Sequence, residues 1–317
     1  MLQGKRILIC GASGFIGQRA ARLLHDAGGS VVGIARRPAS THAATIELRA
    51  VDMSEGQALR ELVRTLKPQL IVHLAATRKP AESIAALRES YDLNLAITLN
   101  LLEACQAGAT PERLVCVGSC DEYGCGKVPF EESMREAPVT AYGASKLAST
   151  QVLQLAARSH NFPAVILRPS VVYGPGQPPS MFLPALIGAL LRGEEFDMTA
   201  GEQTRDYVYI DDLVEAIASA LVVPVAAGTI INIGAGSPVQ LRQLALMVAQ
   251  CVGAGAAELL RPGKLQYRTA EPMQYWVANA CAERLLGWRP RTALAAGIAR
   301  TVASLRARSS DDSRVRP

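Results

Sequence analysis

Tyr142 and Lys146 stand four apart in the segment Ala141-Tyr142-Gly143-Ala144-Ser145-Lys146, and on a helix that spacing places both side chains on one face. A phenol ionises near pH 10 and is a weak acid or base at neutrality, but an ammonium group beside it favours the anion. Such a pair can exchange a proton with a hydroxyl or carbonyl oxygen. Ser119, at the carboxyl end of an apolar run, supplies a hydroxyl able to hydrogen-bond the same oxygen. Taken alone, Tyr142 and Lys146 read more readily as an ordinary helix face.

What gives the pair weight is the opening segment, Ile7-Leu8-Ile9-Cys10-Gly11-Ala12-Ser13-Gly14-Phe15-Ile16-Gly17, where three glycines separate a strand pattern from a helix pattern. Gly11 suits a tight turn, Gly14 lets backbone approach a pyrophosphate, and Gly17 permits close helix packing. The helix start offers free N–H donors to the anion. Nineteen positions after Gly17, where a site for NAD usually carries Asp or Glu on the ribose, stand Arg36 and Arg37. Guanidinium groups grip phosphate through paired hydrogen bonds, so the doublet predicts a 2′-phosphate and therefore NADP, used as NADPH, in preference to NAD. The competing reading is a solvated basic loop.

These residues need a scaffold, and the chain alternates short β-branched runs with longer helical periods. Strands are expected at Arg6 to Cys10, Ser30 to Ala35, Ile46 to Val51, Leu70 to Leu74, Leu114 to Gly118 and Val165 to Leu167. Helices are expected at Phe15 to Ala27, Glu55 to Leu66, Ser83 to Gln106 and Tyr142 to His160. Continuous apolar strands fit a parallel sheet covered on both faces, so the fold class is α/β, a doubly wound Rossmann sheet with a smaller C-terminal substrate-binding lobe. Residues 1–169 form the dinucleotide-binding domain, with 204–235 returning to it through a strand at Thr229 to Ile233. Residues 170–203 and 236–306 form the lobe; the second half of the chain carries helices at Met181 to Leu191, Asp211 to Leu221 and Leu241 to Val252, with a short hairpin between the first two. Asp211-Asp212 read as a helix N-cap, His73 as a packed core residue, and 307–317 as a charged, mobile tail.

Composition narrows the partners. The 317 residues are 49% hydrophobic and 19% charged, with mean hydropathy +0.16, which excludes disorder over most of the length. The uncharged segment Ala216 to Pro238 is interrupted by Pro224 and glycine turns, so no membrane span is expected. A net charge of +5 with 5% aromatic residues gives no basic aromatic surface for nucleic acid. Seven cysteines without a Cys-x-x-Cys pair and a start lacking a secretory pattern point to reduced thiols in the cytoplasm. The four histidines form no metal spacing.

Together the motifs resemble the extended short-chain dehydrogenase/reductase family of nucleotide-sugar epimerases, dehydratases and ketoreductases. The likeness rests on Gly11 to Gly17, Asp52, Leu74-Ala75-Ala76, Asn94, Asn100 to Ala104, Gly118-Ser119, Tyr142 to Lys146, Leu167-Arg168-Pro169, Tyr173 to Gly176, Thr204 to Tyr207 and Leu286-Gly287-Trp288. It implies Ser119, Tyr142 and Lys146 as catalytic residues. It also implies a cofactor site of Gly11, Ser13, Gly14, Phe15, Ile16, Gly17, Arg36, Arg37, Asp52, Met53, Leu74, Ala75, Ala76 and Pro169 beside Tyr142 and Lys146, with Asp52 at the adenine. Arg205 and Arg268 would bind the diphosphate of a nucleotide-diphosphate sugar, joined at the sugar by Ser119, Cys120 and Asp121. A homodimer through the helices around 83–106 and 142–160 is the family expectation.

Gly118-Ser119-Cys120-Asp121-Glu122-Tyr123-Gly124 looks most like the matching stretch of GDP-6-deoxy-4-keto-mannose reductases. With Arg36-Arg37, it leads to an expected NADPH-dependent reduction of a 4-keto-6-deoxy sugar, with Tyr142 protonating the oxygen. An NAD-retaining nucleotide-sugar epimerase or dehydratase is the alternative, Asp121 then being able to act on a sugar carbon. A non-catalytic NADP-binding sensor on the same fold is the third reading.

Overall fold

The computed structural model describes residues 2–37, 46–78, 83–268 and 271–315. In chain order the first half runs β1 (Arg6–Cys10), α1 (Phe15–Asp26), β2 (Ser30–Ala35), β3 (Glu47–Ala50), α2 (Gly56–Leu66), β4 (Leu70–His73) and α3 (Ile84–Ser90). It continues with α4 (Ala96–Ala107), β5 (Arg113–Val117), α5 (Ala141–His160) and β6 (Ala164–Pro169). The second half adds β7 (Val171–Tyr173), α6 (Phe182–Leu191), β8 (Phe196–Met198), β9 (Thr204–Arg205), β10 (Tyr207–Tyr209), α7 (Ile210–Val222) and β11 (Ile230–Ile233). It ends with β12 (Val239–Gln240), α8 (Leu241–Val252), β13 (Leu260–Pro262), α9 (Ala280–Leu286) and α10 (Leu294–Val315).

Seven strands form one parallel sheet in the order β11-β6-β5-β4-β1-β2-β3. Side chains alternate across a strand, and this sheet uses both faces. Ile7, Ile9, Val72, Val115, Val165 and Leu167 enter one apolar cluster, while Leu8, Cys10, Ile71, Leu114, Cys116 and Ile166 enter the other. Burial on both sides is why these strands read as unbroken apolar runs. The first cluster continues through α7 to Leu186 of α6, Val248 of α8 and Ile298 of α10, which anchors the later helices to the sheet. The chain reverses between β1 and β4, the switch point at whose carboxyl edge ligands bind in doubly wound sheets.

The structure corrects three local expectations. The helix anticipated over 83–106 is interrupted by a π-helical turn at Tyr91–Leu95; there the Thr98 hydroxyl bonds the Asn94 carbonyl while the Asn94 side chain reaches other elements. The hairpin does not form, because β8 pairs with β13, β9 with β12 and β10 with β7. Tyr209, not an aspartate, caps α7; Asp211 pairs with Arg19 of α1 at 2.5 Å, and Asp212 accepts from Thr292 N–H at 3.0 Å. Helix α10 ends at Val315; before the charged segment, Leu305 packs on the core and Arg306 donates to the Val252 carbonyl at 2.8 Å.

Candidate active site

The glycine segment forms the expected strand–turn–helix. Gly11 N–H and Ala12 N–H both donate to the Ile34 carbonyl at 3.0 Å, tying the turn to β2. Gly11 has φ +86, and a Cβ there would stand 2.7 Å from the Ala75 nitrogen; at Gly17 it would stand 2.2 Å from the Gly11 carbonyl oxygen. Any side chain at either position forces the loop off α1 or off the β4 loop. Gly14 caps α1 without a side-chain hydrogen bond, and no acidic residue occupies the first turn, so the helix start keeps its positive end and free N–H groups for an anion.

Two adjoining cavities meet at this turn. One, of about 660 Å³, is lined by Ser13, Arg36, Arg37, Asp52, Met53 and Ala75; the other, of about 470 Å³, by Phe15, Ile16, Gly17, Ser119, Tyr142, Lys146 and Pro169. Gly11, Gly14, Leu74 and Ala76 border both. Asp52 accepts from Ser54 N–H at 3.0 Å and the Ser54 hydroxyl at 2.8 Å. Those bonds, with Arg36 nearby, hold its carboxyl below the ordinary range. A groove with a phosphate cradle in the middle and guanidinium groups at one end has the donor set an extended dinucleotide needs.

Helix α5 begins where Thr140 Oγ1 accepts from Gly143 N–H at 3.0 Å, which fixes the first turn and with it Tyr142. Lys146 is buried and donates to the Val117 carbonyl at 2.6 Å. Asn94 clamps the helix from the other side: it donates to Ser145 Oγ at 2.9 Å and to the Thr77 carbonyl at 3.1 Å, and accepts from Thr77 N–H at 2.7 Å. Burial pushes the Tyr142 phenol up from its ordinary value; Lys146 and Arg78 pull it back, and Asp121 and Glu122 oppose them. His73 is neutral core, held at about 3 by burial and the Lys146 charge, with Nε2 3.2 Å from Thr98 Oγ1.

Ser119 sits at the end of β5 with its N–H on Glu122 Oε1 at 2.9 Å, and its Oγ accepts from Asp121 N–H at 3.1 Å. Glu122 also accepts from Thr150 and Arg168, each at 2.8 Å. Cys120 turns away from both cavities into a buried cluster with Tyr123, Phe130, Tyr275 and Val277, so its side chain is behind the substrate space and not in it. Asp121 faces the smaller cavity: one oxygen accepts from the Tyr275 hydroxyl, and the other lies 3.3 Å from Arg78 Nη2. Among the described residues, no three His, Cys, Asp or Glu side chains group to hold a metal, and no helix is long and apolar enough to cross a membrane.

Arg205 and Arg268 reach the same cavity from the far side. Arg205 donates to the Thr204 carbonyl at 2.8 Å and the Pro272 carbonyl at 2.7 Å and pairs with Glu271. Arg268 meets the other Glu271 oxygen at 3.1 Å. Asp206 is no partner of Arg205; it accepts from Ala235 N–H at 2.9 Å. Arg78, Glu271 and Tyr275 were missed in the sequence. They come from irregular chain with no spacing rule, although the Tyr275-Trp276 doublet was a mark in so aromatic-poor a chain.

The model of the "NAD dependent epimerase/dehydratase family" matches residues 7–234, the stretch carrying the turn, Ser119, Tyr142 and Lys146. The chain belongs to that family. A "UDP-glucose 4-epimerase" of Mycolicibacterium smegmatis is 31% identical over 318 residues, covering 96% of this chain and 99% of the relative. A "Probable UDP-glucuronate 4-epimerase" of Rhizobium meliloti is 29% identical, covering 94% and 96%. Among solved structures, MoeE5 in complex with UDP-glucose and NAD superposes with a TM-score of 0.86 at 30% identity, covering 96% and 99%. The UDP-glucuronic acid 4-epimerase of Bacillus cereus, with UDP-glucuronic acid and NAD, gives 0.86 at 25%, covering 95% and 99%. Three of these four are named as 4-epimerases, so the likeness to GDP-6-deoxy-4-keto-mannose reductases gives way to family membership.

Proposed function

We propose that this family member interconverts a nucleotide-diphosphate sugar and its 4-epimer, retaining a bound nicotinamide dinucleotide, NAD by the example of its neighbours. The observation that carries this reading is the continuity of the cleft: the phosphate turn, Tyr142 with Lys146 and Ser119, and the Arg205–Arg268 pair all border one space. The relatives described above bear 4-epimerase names, which supports the same reaction. The bound nicotinamide supplies a reversible acceptor for the hydrogen on the sugar carbon. Tyr142, as a phenolate stabilised by the Lys146 charge, takes the proton of the hydroxyl on that carbon and becomes a phenol, and Ser119 hydrogen-bonds the same oxygen. Arg205 and Arg268 hold the diphosphate, exchanging Glu271 for phosphate oxygens. Epimerisation must return hydrogen to the opposite face of the ring. A substrate anchored by its diphosphate leaves the sugar ring free to turn between the two transfers.

Incubating the protein with UDP-glucose or UDP-glucuronic acid and following the sugar by proton NMR tests the reaction. Appearance of the 4-epimer without added nucleotide is expected, and its absence with both substrates and their epimers counts against this reading. The reductase reading keeps one specific observation: Arg36 and Arg37 line the adenosine end, where a 2′-phosphate would sit. Nucleotide extracted from the purified protein separates the two, since retained NAD supports the epimerase and weakly held, exchangeable NADPH the reductase. In either case, residues 1–169 with 204–235 carry the cofactor, and 170–203 with 236–306 shape the sugar and nucleotide side. Exposed Leu99 on α4 and Leu155 on α5 support pairing of two copies through these helices, which light scattering at two concentrations measures.

A further inference from the structure

Tyr142 is faced by more than its lysine. From the loop after β4, the Arg78 guanidinium carbon stands 5.4 Å from the centroid of the Tyr142 ring. The same guanidinium approaches Asp121 Oδ2 at 3.3 Å. Asp121 is itself held by the Tyr275 hydroxyl on its other oxygen, while Oδ2 is buried with no hydrogen bond. The contact between Arg78 and Asp121 is therefore electrostatic, and the carboxylate keeps the guanidinium over the phenol without tying up its donors. We propose that Arg78 is a positioning residue for Tyr142: a second cation, steered by Asp121 and Tyr275, that stabilises negative charge on the phenol oxygen.

The inference rests on the acid–base role given to Tyr142 above. The charged groups around the ring are Lys146 on its own helix, Arg78 after β4, and Asp121 and Glu122 after β5. Glu122 is neutralised by Arg168, with both side chains fully buried. The remaining set, two cations and one anion, carries one net positive charge when Tyr142 is a phenol and none when it is a phenolate. Without Arg78 the same count goes from zero to minus one, so the anion loses its compensation. The Arg78 side chain is 53% exposed, and solvent weakens its pull. At such a distance an effect of about tenfold on the phenolate fraction is the scale to expect.

The test needs no sugar substrate, so failure to find the right one leaves it intact. In the protein as purified, with its own bound nucleotide, the ultraviolet absorbance of phenolate is followed against pH and corrected with Y142F, which isolates the Tyr142 ionisation. R78Q is expected to raise its midpoint by about one pH unit, a tenfold loss of phenolate at any lower pH. R78K, which keeps the cation, should stay near the wild-type value. An unchanged midpoint in R78Q, or a shift in R78K as large as that in R78Q, overturns the proposal. A normal Arg78 effect in a protein that epimerises no nucleotide sugar would instead leave it standing and remove the proposed reaction.

Discussion

Glu122→Gln tests the support beneath the site. The wild-type carboxylate accepts from Ser119 N–H at 2.9 Å, Thr150 Oγ1 at 2.8 Å and Arg168 Nε at 2.8 Å, and both it and Arg168 are fully buried. Glutamine has nearly the same shape, so the change removes charge and one acceptor without opening a cavity. Breaking a buried ion pair by neutralising one member costs about 3–5 kcal/mol, because the other charge is left uncompensated. Here Glu136 still meets Arg168 Nη2 at 2.8 Å, which places the expected cost near the lower end, about 3 kcal/mol. Urea unfolding of E122Q, R168M and the double variant measures it. The double variant should lose less than the sum of the singles, with a coupling of about 2 kcal/mol or more. Additive losses, or a cost for E122Q below about 1 kcal/mol, would refute the argument that this pair is an energetically coupled unit.

Tyr142→Phe should abolish turnover while nucleotide binding, read by fluorescence quenching, stays within about twofold, because only the proton-transfer oxygen is removed. Gly17→Ala should cost about 3 kcal/mol in thermal or urea unfolding and weaken nucleotide binding, since its methyl would meet the Gly11 carbonyl at 2.2 Å. Burial pushes the Asp206 carboxyl from 3.8 up to about 6 despite its backbone N–H bonds. Between about pH 4 and 6 the folded protein therefore holds a proton the unfolded chain has released, and stability falls as pH rises through that window, by up to about 3 kcal/mol. D206N should flatten this slope in urea titrations at several pH values; an unchanged slope assigns it to other groups.

The central sheet was legible because its inner strands are buried on both faces and so write nearly uninterrupted apolar runs, bounded by glycine or by a helical period. Tyr142, Lys146 and Ser119 were legible for a related reason: a helix face and a strand end are positions that spacing can locate. Arg78, Glu271 and Tyr275 follow no period, and only the folded chain brings them to the cavity. Cys120 shows the converse limit. Adjacent residues in a turn point in different directions, so its place between Ser119 and Asp121 carried no information about which way its thiol faces. The π-helical turn at Tyr91–Leu95 was hidden because a single wide turn within a longer helical stretch carries no proline or glycine to mark it.

The cleft is assembled from both ends of the chain: the phosphate turn begins at Gly11, and the opposite wall closes with Tyr275. During synthesis, Tyr142 and Lys146 leave the ribosome well before Arg205, Glu271 and Tyr275 exist to face them. A nascent or prematurely terminated polypeptide thus owns the reacting phenol but no chamber to use it in, and competence arrives late and all together.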